Sequence, residues 1–279
     1  MTFRLANAAG RAALVDEAGG LHDLVAVSSG RLGPDPMEAI ARAAELHELS
    51  ALLDPSSADG SLDGADLGPP APRPRNSFAI GLNYRSHVAE ADMELPEVPL
   101  VFTKFPSCLV GPRADVELAS ATADYEAELV VVIGTAGRDI DPASAWDHVA
   151  GVTVGQDISD RALQFAAKPP HFDLGKSRDT YGPLGPVLVS PDALADRDAL
   201  AITCDVNGER RQSGTTADLI FDVPALIAYL SSLITLAPGD LIFTGTPEGV
   251  GAVDGRFLRP GDEIVTTLEG IGSLTNTCR

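Results

Sequence analysis

Along this chain the apolar residues fall into many short runs separated by Gly/Pro turns, with one longer stripe at helical spacing. Runs of strand length lie at residues 78–82, 100–104, 126–133, 149–157, 187–189, 201–206, 241–244 and 263–268. Pro183-Leu184-Gly185-Pro186, Asn207-Gly208 and Pro238-Gly239-Asp240 supply turns between them. Val223, Leu226, Ile227, Leu230, Leu233 and Ile234 recur at the spacing of one helix face, predicting a helix over 223–236 capped by Asp222 ahead of Pro224. Upstream, residues 3–28 read as strand, turn through Glu17-Ala18-Gly19-Gly20, and a second strand from Leu21 to Val27. Asp35-Pro36 starts a helix ending near Leu53, with Met37, Ile40, Ala44 and His47 as its inner stripe. Residues 54–75 are rich in Pro, Gly, Ser and Asp and read as a linker. The pattern divides the chain into a small α+β N-terminal domain with its linker, 1–75, and a main body, 76–279. The expected fold class is mainly β with α+β insertions, a sandwich or rolled barrel rather than a doubly wound sheet.

The stretch DYEAELVVV at 124–132 breaks the ordinary pattern. Asp124, Glu126 and Glu128 alternate and so share one face of an extended strand, directly before an unbroken apolar run. Carboxylates at the mouth of a core are costly unless protonated, hydrogen-bonded or neutralised. A solvated strand end and a divalent-metal site both satisfy that demand. Asp157 lies where the apolar strand 149–154 leaves the core, and it either joins these acids or caps a helix over 159–165. Three carboxylates would leave about three positions on an octahedral Mg²⁺ for water and substrate oxygens, as in a catalytic site.

Three other segments carry candidate chemistry. His87 and Glu90 stand at i, i+3 in GLNYRSHVAE, a spacing that suits either a carboxylate-oriented general base or a surface contact. Lys176, in GKSRDT, follows His171-Phe172-Asp173, a loop able to fold over a site. The glycines of TGTPEGVG at 244–251 suggest backbone close to a ligand, without a Walker lysine or dinucleotide fingerprint.

Composition narrows the partners. With 279 residues, 44% hydrophobic and 22% charged, the chain has an ordinary globular composition. A formal net charge of −20 argues against nucleic-acid and anionic-membrane surfaces, though a local positive pocket would still admit a small anion. No apolar run approaches a membrane span, and the N-terminus shows no secretory signal. Cys108, Cys204 and Cys278 are expected as free thiols in a reducing cytoplasm. Lysine occurs only at Lys104, Lys168 and Lys176 among 20 basic residues, which marks these positions as ones where a compact ammonium is wanted.

In order, GLNYRSHVAE, PLVFTKFPSCLVGP, DYEAELVVVIG, GQDISDRALQ, GKSRDTYGPLGPVLV, VNGERRQSGTT and LAPGDLIFTGTPEGVG resemble the motifs of the fumarylacetoacetate hydrolase family, from about Phe78 to the C-terminus. Residues 1–75 look like the variable N-terminal domain of its bacterial members. The resemblance implies a mixed β-sandwich roll that binds Mg²⁺ (or Mn²⁺) through Glu126, Glu128 and Asp157. It also implies a His87–Glu90 dyad on a lid helix, an active-site Lys176, and a substrate pocket lined by Arg161, Gln164 and Thr246. Asp124 then becomes a supporting residue. Asp160, Arg178 and Gln156 depart from the common Ala, Phe and Asn; Asp160 and Arg178 either pair or leave Arg178 to meet a dicarboxylate. The function so implied is metal-dependent hydrolysis of a C–C bond in a 2,4-dioxo acid of acylpyruvate type, releasing pyruvate or a related 2-oxo acid. Oxaloacetate decarboxylation or 2-oxo-acid tautomerisation on the same metal is the alternative, and a non-catalytic oxo-acid-binding module a more distant one. Relatives are commonly homodimers.

Overall fold

The computed structural model describes residues 2–279. Twelve strands form one mixed sheet. Its path runs Gly60–Ser61, Gly20–Asp23, Arg11–Val15, Arg4–Ala8, Gly182–Val189, Val149–Gln156, Ala127–Ile133, Leu241–Phe243, Ser77–Gly81 and Leu100–Thr103. Ala127–Ile133 lies near the centre and is buried on both faces, which is why its sequence is unbroken in apolar residues. Ala127, Leu129, Val131 and Ile133 pack in one cluster with Ile202, Ile264 and Leu274 of a second, four-stranded sheet. Val130 and Val132 point the other way, into a cluster that contains Ile40, Leu46 and Leu49 of the N-terminal helices. Close packing of the strands leaves no space for a side chain at Gly155, where a Cβ would lie 2.5 Å from Cγ2 of Val130.

The second sheet is antiparallel, in the order Glu209–Thr215, Ala201–Val206, Glu263–Leu268, Gly272–Thr277. Two of its strands, ERRQSGT and GSLTNT, are too polar to announce themselves in the sequence. The first is fixed by the two-residue hairpin Asn207-Gly208, both residues with positive φ (53° and 77°), the conformation that matches the twist of paired strands.

Several local expectations shift. Helix Val223–Leu233 has the Asp222 cap, its carboxylate accepting from Ala225 N at 2.9 Å, but ends three residues early. The helix expected from Asp35 is two helices, Pro36–Ile40 and Ala43–Ser50. The single strand expected before the turn at 17–20 is two, Arg4–Ala8 and Arg11–Val15, and the strand after it stops at Asp23, whose side chain caps a short helix, Leu24–Val27. Residues 54–75 are tied down by strand pairing: Gly60–Ser61 adds to Gly20–Asp23, and Leu67–Gly68 pairs with Arg4–Ala8. Arg4–Ala8 itself pairs with Gly182–Val189, so the sheet runs without a break from the N-terminal segment into the main body. Among the described residues no helix is long and apolar enough to cross a membrane.

Candidate metal centre and its cavity

The alternation of acids at the start of Ala127–Ile133 places Glu126 just before the central strand and Glu128 as its second residue. Asp157 follows the neighbouring strand Val149–Gln156, and its N–H donates to the Glu126 carbonyl at 2.9 Å, so backbone pairing brings the three acids together. All three are buried, and one carboxylate oxygen from each lies within 4.8 Å of the others. These are hard oxygen donors from rigid strand ends, the ligand chemistry of Mg²⁺ or Mn²⁺. The arrangement fits a divalent cation.

Cations of the chain surround the cluster without cancelling it. Lys176 Nζ donates to Glu126 Oε2 (2.6 Å), Asp157 Oδ2 (2.8 Å) and Ser159 Oγ (2.9 Å). Lys104 Nζ, fully buried, donates to Asp157 Oδ1 at 2.7 Å, to the Tyr181 carbonyl at 3.0 Å, and to the Lys176 carbonyl. Arg161 Nη2 lies 2.7 Å from both Glu126 and Asp124. Glu128 has no such partner among the described residues; it accepts from Gly245 N at 2.7 Å. Its pKa accordingly stands well above the carboxylate range, through burial first and then the charges of Asp157 and Glu126. Burial also pushes Glu126 upward, but Lys176 and Arg161 outweigh it and hold that carboxyl down to about 2.

A raised pKa on one acid of the cluster gives metal binding a sign in pH. If Glu128 serves as an anionic ligand it must lose its proton, so binding of a cation there would release that proton and apparent affinity would rise with pH until Glu128 is already ionised. Mn²⁺ titrations over a series of pH values are expected to show this rise, and Glu128→Gln to weaken binding and flatten it. A pH-independent affinity across the series would contradict it.

Asp124 is turned to another task. It is fully buried, accepts from Gly251 N (2.7 Å) and Ala252 N (3.0 Å), and pairs with Arg161. It thereby anchors the 245–252 loop and the arginine beside Glu126. Asp160, rather than Asp157, caps the helix after this strand, which is only Arg161–Gln164; its carboxylate accepts from Leu163 N at 3.2 Å. Its other oxygen accepts from Arg178 Nε at 2.9 Å, so two of the three departures from the common pattern, Asp160 and Arg178, form a pair.

A cavity of about 270 Å³ opens beside the cluster, and His87, Glu126, Arg161, Gln164, Lys176 and Thr246 all line it. His87 sits on helix Arg85–Glu90 with Nδ1 3.5 Å from Glu90 Oε2, and Glu90 is steadied by Gly249 N at 3.1 Å. The Thr246 hydroxyl donates to the Ala127 carbonyl (2.8 Å) and accepts from Gln212 Nε2 (2.8 Å).

Sequence reasoning left three supports unassigned. Lys104 was marked by its rarity alone. Gln156 Oε1 accepts from Glu126 N, and Gln212 Oε1 from Ala127 N, each at 2.9 Å, so two buried amides pin consecutive peptides where the acidic segment enters the strand. Nothing local in sequence signals these partnerships, because the partners lie 30 and 85 residues away.

The chain is 44% identical over 225 residues to oxaloacetate tautomerase YisK of Bacillus subtilis, covering 77% of this chain and 74% of that one. It is 43% identical over 211 residues to the mitochondrial oxaloacetate tautomerase FAHD2A of Homo sapiens, covering 74% and 67%. The maleylpyruvate hydrolase of Sphingobium sp. SYK-6, solved with manganese(II) and pyruvate, superposes with a TM-score of 0.82 at 29% identity, covering 99% of this chain and 98% of that one. The family described as fumarylacetoacetate (FAA) hydrolase C-terminal matches residues 76–279. That span contains the acidic centre and every residue of the cavity, and the chain belongs to the fumarylacetoacetate hydrolase family.

Proposed function

We propose that this chain is a metal-dependent enzyme that interconverts the keto and enol forms of a small 2-oxo acid. The observation that carries the reading is the cavity wall itself, where one imidazole, His87, shares a small space with Lys176, Arg161 and an acidic cluster fit for a divalent ion. Glu126, Glu128 and Asp157 would hold Mg²⁺ or Mn²⁺, and such an ion supplies Lewis-acid polarisation of a carbonyl. The manganese(II) and pyruvate of the Sphingobium enzyme, and the oxaloacetate tautomerase activity named for the two relatives, support it. His87, with Nδ1 toward Glu90, exchanges a proton at the carbon beside the 2-oxo group, breaking that C–H bond as an O–H bond forms on the oxygen. The positive charge of Lys176 favours the enolate that lies between the two forms. Arg161, Gln164 and Thr246 shape the polar end of the cavity where the acid group binds.

A second reading, hydrolysis of the C–C bond of an acylpyruvate, is favoured by the His87–Glu90 pair, which is equally suited to activating water. One assay series separates them: decay of enol-oxaloacetate, CO₂ release from oxaloacetate, and pyruvate release from acetylpyruvate, each with Mg²⁺ and with EDTA. Metal-dependent enol decay faster than either release is expected. Faster pyruvate release would make the protein a hydrolase, faster CO₂ release a decarboxylase, and measurable oxalate binding without turnover a non-catalytic binding module.

The division at residues 1–75 and 76–279 is proposed on the start of the family match. A cytoplasmic homodimer is proposed as well; the buried free thiols Cys108, Cys204 and Cys278 fit a reducing compartment, and light scattering tests the assembly.

A further inference from the structure

The acidic segment 124–128 is stitched to the glycine loop 245–252 along almost its whole length. Gly245 N donates to Glu128 (2.7 Å), the Thr246 hydroxyl to the Ala127 carbonyl (2.8 Å), and Gly251 N to Asp124 (2.7 Å). Tyr125 makes the remaining stitch, its hydroxyl donating to the Gly249 carbonyl at 3.1 Å. Glu126 is left out, its carboxylate held by Lys176 and Arg161 instead. The loop then reaches the acid–base pair from its other side. Gly249 N donates to both carboxylate oxygens of Glu90 at 3.1 Å, and Glu90 Oε2 lies 3.5 Å from His87 Nδ1.

Gly249 is the joint in this chain of contacts. Its φ of +97° suits glycine, and a Cβ there would lie 2.0 Å from the Arg211 carbonyl oxygen, so the position demands the residue with the greatest backbone freedom. Such a residue keeps one peptide orientation only where its flanking groups are bonded, and Tyr125 bonds the carbonyl side. The phenol is a firm post: it is 1% exposed, and the Arg211 guanidinium lies 5.5 Å from its ring centroid. Helix Arg85–Glu90 is fixed at its start, where Ser86 N donates to Asp218 (2.9 Å) and Arg85 to the Leu219 carbonyl (2.7 Å). Glu90 is its last residue, so Gly249 fixes the other end.

We propose that Tyr125 is a positioning residue for the reaction, holding through Gly249 the N–H that sets Glu90 and, through Glu90, the His87 ring. Neither Tyr125 nor Gly249 lines the cavity, so the effect passes through the acid–base pair and not through contact with substrate. The proposal rests on the metal-dependent oxo-acid reading above, and it holds for proton exchange and water activation alike because both use His87.

Tyr125→Phe removes the hydroxyl and keeps the ring, which makes it the direct test. Turnover of the oxo acid that the parent converts fastest is compared, with Mg²⁺, in the parent, Tyr125→Phe, Glu90→Ala and the double variant. In Tyr125→Phe kcat is expected to fall about ten-fold, the upper range for one neutral hydrogen bond. KM and Mn²⁺ affinity are expected to stay within about two-fold of the parent, because the groups that hold substrate and metal are untouched. In the Glu90→Ala background the same change is expected to cost less than about two-fold, since a residue acting through Glu90 then has nothing to act on. An unchanged kcat in Tyr125→Phe, a full loss that persists without Glu90, or a loss matched by weaker Mn²⁺ binding would overturn the role of Tyr125 alone. A parent without metal-dependent turnover of any oxo acid would overturn the oxo-acid reading, and the Tyr125 proposal with it.

Discussion

Replacing His87 by alanine is expected to slow turnover by about 10²–10⁴-fold, the usual contribution of a positioned acid–base group. Metal affinity is expected to stay within about three-fold of the parent, because the imidazole is outside the ligand set that the hard-cation chemistry selects. The ring is mostly buried, on a short helix, and its side chain bonds Glu90 alone, at 3.5 Å, so its loss is expected to leave the strands beneath intact. Enol decay measured beside Mn²⁺ affinity by electron paramagnetic resonance makes the distinction. An alanine variant with parental turnover would remove His87 from the chemistry. Loss of metal binding in step with activity would instead make it a support of the acidic centre.

Lys104→Met is expected to cost about 3–5 kcal/mol of stability, the range for breaking a buried ion pair by removing one partner. Both side chains of the Lys104–Asp157 pair are completely buried, so solvent does not screen the loss. The variant also strips a donor from the carbonyls of Tyr181 and Lys176. A fall in Tm of roughly 10 °C follows for a chain of this size, read by calorimetry. The double variant Lys104→Met/Asp157→Asn should recover part of the loss, since it no longer buries a carboxylate that has lost one of its two lysine partners. A single-variant cost under about 1 kcal/mol would show that Lys176 alone neutralises Asp157.

Legibility in the sequence followed how local each partnership is. The central strand was readable because β-branched and aliphatic residues run from Leu129 to Ile133 with no polar interruption. Helix Val223–Leu233 was readable from its 3.6-residue stripe and Asp222. Glu209–Thr215 and Gly272–Thr277 were not, because they hold their places by pairing with Ala201–Val206 and Glu263–Leu268 rather than by an apolar face of their own. In the acidic centre, the two-residue alternation alone set Glu126 and Glu128 on one side of the strand. It left open whether Asp124 or Asp157 joined them.

Chain order by itself therefore determined the apolar strands, their turns, the alternating acids and the motifs that identify the family. Only the tertiary structure decided which acids converge, since that depends on Val149–Gln156 pairing with Ala127–Ile133 and on the Asp157 N–H reaching the Glu126 carbonyl. It also decided the electrostatics: Lys104 reaches Asp157 across 53 residues and Lys176 reaches Glu126 across 50. A buried charge takes its pKa from whatever lies within a few ångströms, and sequence separation says nothing of that distance.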